Sequence, residues 1–131
     1  MRKEELLRLK ELTKELEGAD DRIMLLRAQA ERITAMLDGL PRGSLMRSKI
    51  EESVVKLVSA ADDLELKRSE LLSLQAELIT DIAYLPAFES TVIRMKYIEG
   101  WSFRTIAAKF KCSVGYIFQL HRKALKKILS S

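Results

Sequence analysis

Trp101-Ser-Phe-Arg-Thr-Ile-Ala-Ala-Lys-Phe110 and Ser113-Val-Gly-Tyr-Ile-Phe-Gln-Leu-His-Arg-Lys-Ala-Leu-Lys-Lys-Ile-Leu129 are separated only by Lys111 and Cys112, and these two stretches decide the fold. Ser102 and Ser113 stand where a helix begins, because a serine hydroxyl accepts from the otherwise unpaired N–H groups of the first turn. In the first stretch Ile106 and Phe110 are four residues apart and Ala107 permits a close crossing. In the second, Ile117, Leu120, Ala124, Leu125 and Ile128 form one apolar stripe. Upstream, Pro86 suits the first position of a helix running to Ile98. It carries Phe88, Val92, Met95 and Ile98 inward and ends at Glu99-Gly100. The spacing predicts a compact triplet of helices, the last two joined by the turn Lys111-Cys112-Ser113.

A helix enters a DNA major groove only if one flank packs on its own domain while the other offers hydrogen-bonding side chains near its N-terminus. The outer flank of the last helix is polar and basic: Ser113, Gly115, Tyr116, Phe118, Gln119, Arg122, Lys123 and Lys126. Gln119 suits direct readout, since its amide can pair in two-point fashion with adenine. Arg122, Lys123 and Lys126 lie further along, where phosphates pass, and would position rather than specify. Ser102, Arg104 and Thr105 open the preceding helix and could hold a phosphate through side chains and free N–H groups. Charge points the same way: residues 1–93 carry 14 basic and 18 acidic side chains and residues 94–131 carry 9 and 1, a net −4 against +8. A field so concentrated suits a phosphate backbone or an acidic surface.

The N-terminal two thirds read differently. Leu9, Leu12, Leu16, Ala19, Ile23, Leu26, Ala30, Ile33 and Leu37 alternate steps of three and four, a coiled-coil seam without polar interruption. Gly18 lies off this seam, and the spacing predicts one long helix that tolerates it at about 1 kcal/mol. The helix should stop in Asp38-Gly39-Leu40-Pro41-Arg42-Gly43-Ser44, with Gly39 as a left-handed cap and Ser44 capping the next helix. A second seam then runs Ile50, Val54, Leu57, Ala61, Leu64, Arg68, Leu71, Gln75, Leu78, Ile82, Leu85. Arg68 and Gln75 either fix register or reach solvent. Two long helices joined by a short loop run antiparallel. Leu25, Val58, Leu66 and Leu72 widen the apolar stripe beyond one two-helix contact, which points to a homo-oligomer such as a four-helix bundle. The expected architecture is therefore all-α: a hairpin over residues 1–85 that oligomerises, then a helix-turn-helix domain over residues 86–131.

Composition narrows the function. With 47% apolar residues, 5 Gly and 2 Pro, the chain suits a folded helical protein rather than a disordered one. One cysteine and one histidine cannot build a disulfide framework or a metal cluster. No apolar run approaches the roughly 18 residues of a membrane span, and the start lacks a signal peptide, so the expectation is a soluble, intracellular protein. Cys112 has no orienting base beside it, and adjacent Glu51-Glu52 and Asp62-Asp63 do not face each other, so no catalytic constellation and no cofactor is expected. His121 either touches a phosphate or covers the edge of the bundle. Trp101 and Phe103 either stack on bases or anchor the core.

The segment Val92 to Ile128 resembles region four of bacterial sigma factors, through its Arg94-x-x-Tyr97-x-x-Gly100, Ile106-Ala107 and Ala124-Leu-Lys-Lys127 elements. The whole chain is similar to a family of phage and prophage proteins that join a helical hairpin to a sigma-like C-terminal helix-turn-helix. Arg27–Thr34, Gly39-Leu-Pro41 and Tyr116–Leu125 carry that likeness. The resemblance implies a phage-borne transcription regulator of the sort proposed for late-gene activation, acting in the cytoplasm of the bacterial host cell. Val114, Gly115 and Phe118 stand where sigma factors place charged residues, which argues against a standard sigma promoter element. Without a recognisable region two, the chain is not a complete sigma factor. Two other readings stay open: a small-terminase-like phage DNA-packaging protein, and an adaptor whose tail docks on RNA polymerase without touching double-stranded DNA.

Overall fold

The computed structural model describes residues 1–129. Among them are six α-helices, one short 3-10 turn and no β-strand. The helices are α1 (Lys3–Glu15), α2 (Ala19–Met36), α3 (Leu45–Ile82), α4 (Ala87–Tyr97), α5 (Phe103–Lys109) and α6 (Val114–Ile128), with the 3-10 turn over Leu37–Gly39. None of these helices is long and apolar enough to cross a membrane.

The single N-terminal helix expected from the heptads is two helices. Gly18 takes a left-handed conformation at φ 69°, which ends α1 and starts α2. Glycine reaches that region without a steric penalty. Arg22 completes the break, its guanidinium donating to the carbonyls of Glu15 at 2.8 Å and Glu17 at 3.4 Å. Those are the carbonyls that a helix terminus leaves unpaired. The loop after α2 also differs in detail. Gly43 at φ 76°, not Gly39, is the left-handed residue, while Ser44 caps α3 as expected by accepting from Arg47 N–H at 3.2 Å. Arg47 then donates to the carbonyls of Leu37 and Leu40 at 3.0 and 3.1 Å.

The chain divides into two compact units, residues 14–70 and residues 1–13 with 71 onward, where the sequence pattern placed its boundary at 85/86. In the 14–70 unit α3 pairs with the last residue of α1 across Lys67–Glu15 at 3.0 Å, and with α2 across Arg68–Asp20 at 2.8 Å and Arg27–Asp62 at 3.2 Å. Along α2 the partner falls back from 68 at residue 20 to 62 at residue 27, so α2 and α3 run antiparallel. These pairs are exposed and each contributes about 0–1 kcal/mol, so they report register more than stability. The seam residues of this unit are buried or half-buried except Arg68, which reaches solvent and pairs with Asp20. Only Ala19, Ile23, Ala30 and Ala61 are fully buried.

The other unit holds the larger core, in two clusters that share α4 and α6. Val92, Met95, Ile106, Ala107, Ile117 and Leu120 form one, bound by the short loops between α4, α5 and α6. Ile93, Tyr97, Ala124 and Ile128 form the other with Leu6, Leu9, Leu78 and Ile82. Helical spacing predicted one inward face for α4, but α4 buries two: Val92 and Met95 toward α5 and α6, Ile93 and Tyr97 toward α1 and α3. The physical reason for the displaced boundary is the same. The last turns of α3 and most of α1 complete the apolar interior of the C-terminal helices.

Candidate nucleic-acid interface

Beyond the end of α4, Gly100 with a φ of 78° turns the chain so that the Trp101 N–H donates to the Met95 carbonyl at 2.9 Å. Ser102 caps α5, accepting from Thr105 N–H at 3.1 Å. After α5 the chain turns through Lys111 at φ 53°, and the Cys112 N–H donates to the Ala107 carbonyl at 3.1 Å. Cys112 is half-buried against the α5–α6 cluster, a turn residue in packing contact. Ser113 then caps α6 by accepting from Tyr116 N–H at 3.1 Å. The two serine caps, the three-residue turn and the helix boundaries stand where the residues placed them, within one position at each end.

All eleven residues expected to meet DNA are exposed: Ser102, Arg104, Thr105, Ser113, Gly115, Tyr116, Phe118, Gln119, Arg122, Lys123 and Lys126. At 3.6 residues per turn, Gly115, Gln119, Arg122, Lys123 and Lys126 form a single stripe opposite buried Ile117, Leu120, Ala124 and Ile128. Tyr116 and Phe118 lie on its two edges, and both lean on the domain. Phe118 is 4.8 Å from Phe103 and Tyr116 is 6.1 Å from Phe88, ring to ring, yet 47% and 45% of their surfaces stay open. The Ser102 and Thr105 hydroxyls bond each other at 2.7 Å, and the Thr105 N–H is engaged by the cap. That engagement leaves the start of α5 less free for a phosphate than the sequence suggested.

His121 is half-buried, stacked on Tyr97 at 5.6 Å and hydrogen-bonded through Nε2 to its hydroxyl at 2.7 Å. Burial, with Lys96 and Lys10 close by, pushes the His121 imidazole down to about 4. Burial likewise pushes the Tyr97 phenol up to about 12. The ring is therefore neutral at ordinary pH, and it covers the edge of the bundle rather than offering a cation to a phosphate. Trp101 and Phe103 are core anchors: both pack on the α5–α6 cluster. Lys109 sits 4.7 Å from the Trp101 ring and Lys96 4.4 Å from the Phe103 ring. Cation–π placement of this kind holds the ammonium groups against the domain surface.

Sequence reasoning missed one pair. Lys127 counts toward the cationic tail, but its Nζ donates to both carboxylate oxygens of Glu89 at 3.1 and 2.9 Å. Glu89 is buried in the first turn of α4, and the bridge ties that turn to the last turn of α6. The two residues are 38 apart, and no local pattern announces such a contact. The only hint is an acidic residue just after Pro86, where a helix N-terminus favours negative charge.

A capped helix, a three-residue turn and a second capped helix with an exposed basic stripe define a helix-turn-helix domain. Residues 82–128 match the family model described as Sigma-70, region 4, which is a DNA-binding domain of this type. The match starts at the last residue of α3 and takes in α4, α5 and α6. Neither the comparison with curated proteins nor that with solved structures gives a match.

Proposed function

We propose that this protein is a phage- or prophage-encoded transcription regulator that binds double-stranded DNA, with α6 lying in the major groove. The observation that carries the reading is the exposed stripe Gly115, Gln119, Arg122, Lys123, Lys126 on a helix whose opposite face is buried, within a segment similar to sigma region 4. Gln119 reads base edges, while Arg122, Lys123 and Lys126, further along the helix, hold phosphates. The reading also includes self-association. In the 14–70 unit Met24, Leu25, Met36, Leu45, Met46, Val55, Val58 and Leu66 are exposed, and a second copy covering them would place two DNA-binding domains in one particle. Linking two weak sites raises the effective concentration of the second to the millimolar range, which favours paired half-sites.

The test is selection of duplexes from total genomic DNA by the full-length protein, with titration of the winning sequence at 50 and 200 mM salt. Affinity should fall by about a hundredfold or more between the two, and Arg122→Glu with Lys123→Glu should abolish it. Affinity indifferent to both salt and charge reversal overturns the proposal. Retention by RNA polymerase with no duplex binding overturns it in favour of an adaptor, and a ring of many subunits by light scattering favours a packaging role.

A further inference from the structure

A groove of about 690 Å³ runs along the Phe118 edge of α6, lined by Lys3, Phe118, His121, Arg122, Leu125, Lys126 and Leu129. Its chemistry is divided. Phe118, Leu125 and Leu129 recur along one line of the helix and give an apolar floor, while Lys3, Arg122 and Lys126 supply three exposed cations around it. Among the described residues, none that lines it is acidic. Lys10 and Lys96, the two cations that depress the His121 ring, add to the positive field on the His121 side. Lys3 belongs to α1 and lies outside the stretch similar to sigma region 4.

A phosphate backbone matches the cations but gains nothing from an open phenyl ring and two leucines. A small acid would not fill the length. The ligand that satisfies both parts is a helix with apolar residues at i, i+3, i+4 and i+7 and carboxylates on the flanks, the usual occupant of an apolar groove with charged edges. We propose that this groove docks an acidic amphipathic helix of a protein partner. Arg122 and Lys126 also belong to the DNA stripe, so the docked helix and the duplex exclude one another; this second part rests on the DNA-binding reading, whereas the docking itself does not. The partner would then act as a release factor, taking the protein off its site by occupying two of the side chains that hold phosphates.

The experiment uses the full-length protein and a fluorescent synthetic peptide of leucine, alanine and glutamate in that helical pattern. A scrambled peptide of identical composition and a labelled duplex are measured alongside. The patterned peptide should bind at least about tenfold more tightly than the scrambled one, because only the former presents its leucines on one face. Lys3→Glu and, separately, Leu129→Asp should each weaken it by about fivefold or more. Both variants should leave duplex affinity within about threefold of the parent, since neither residue is in the DNA stripe. Unlabelled peptide should displace the duplex.

Equal binding of patterned and scrambled peptides overturns docking, as does indifference to both variants. Loss of duplex affinity in Lys3→Glu equal to the loss of peptide affinity assigns the groove to the DNA path and overturns the proposal. If the duplex fails to bind the parent protein while the patterned peptide binds and both variants weaken it, docking stands and the DNA-binding reading falls.

Discussion

Replacing Lys127 by methionine tests whether the Glu89 bridge holds α6 against α4. The carboxylate side chain is 8% exposed, and both its oxygens accept from Nζ at 2.9 and 3.1 Å. Removing one partner of a fully buried ion pair costs about 3–5 kcal/mol, because the remaining charge is left without compensation. Lys127 itself is 49% exposed, so water reaches its side of the bridge and the expected cost falls to about 2 kcal/mol. For a unit of this size that lowers the melting midpoint by roughly 10 °C. Urea and thermal unfolding, monitored by helical ellipticity at fixed protein concentration, measure it. The double variant Glu89→Leu with Lys127→Met should recover to within about 1 kcal/mol of the parent, since an apolar pair removes the stranded charge. In duplex titrations the folded Lys127→Met protein should keep the parent's salt slope, whereas Lys123→Met should reduce it by about one, the signature of a lost phosphate contact. A Lys127→Met protein as stable as the parent, or a double variant less stable than the single, refutes the reasoning.

Lys111→Gly should stabilise the fold by about 0.5–1 kcal/mol, because a lysine at φ 53° carries a steric penalty that glycine avoids. Lys111→Ala, measured in the same urea series, should show no such gain. Ile106→Ala empties a fully buried position between α5 and α6 and should cost about 2–4 kcal/mol in equilibrium unfolding. The His121 imidazole lies below its ordinary 6.5, at about 4, so its contribution is complete above pH 6.5 and is lost as pH falls from there toward 4. Across that window stability should drop by about 1 kcal/mol once the ring's partial exposure is allowed for, and His121→Gln should flatten that part of the pH profile.

The helix-turn-helix was legible because everything that sets its boundaries is local. Ser102 and Ser113 cap, Gly100 turns, and Ile106, Ile117 and Leu120 recur at helical spacing, so neighbouring residues alone fix where α5 and α6 begin and which flank faces out. The same locality exposed the basic stripe on α6. The break at Gly18 was hidden because Leu16 and Ala19 keep the heptad phase across it, and the Arg22 contacts that stabilise it are visible only in three dimensions. The second buried face of α4 was hidden for a different reason. Ile93 and Tyr97 are covered by Leu6, Leu9 and Leu78, whose distance along the chain leaves no periodic trace near α4. Sequence charge likewise overstated what the tail offers a phosphate, since Lys127 is already engaged by Glu89.

Leu6 and Leu9 matter to anyone who wishes to excise the helix-turn-helix domain and graft it elsewhere. Cut to the borders of its family likeness, the fragment would surrender those leucines together with Leu78, and Ile93 and Ala124 would face water. The smallest transplantable piece therefore joins two separate stretches of chain, residues 1–13 and those from 71 onward, and a bridging linker between Thr13 and Leu71 is the natural way to make it.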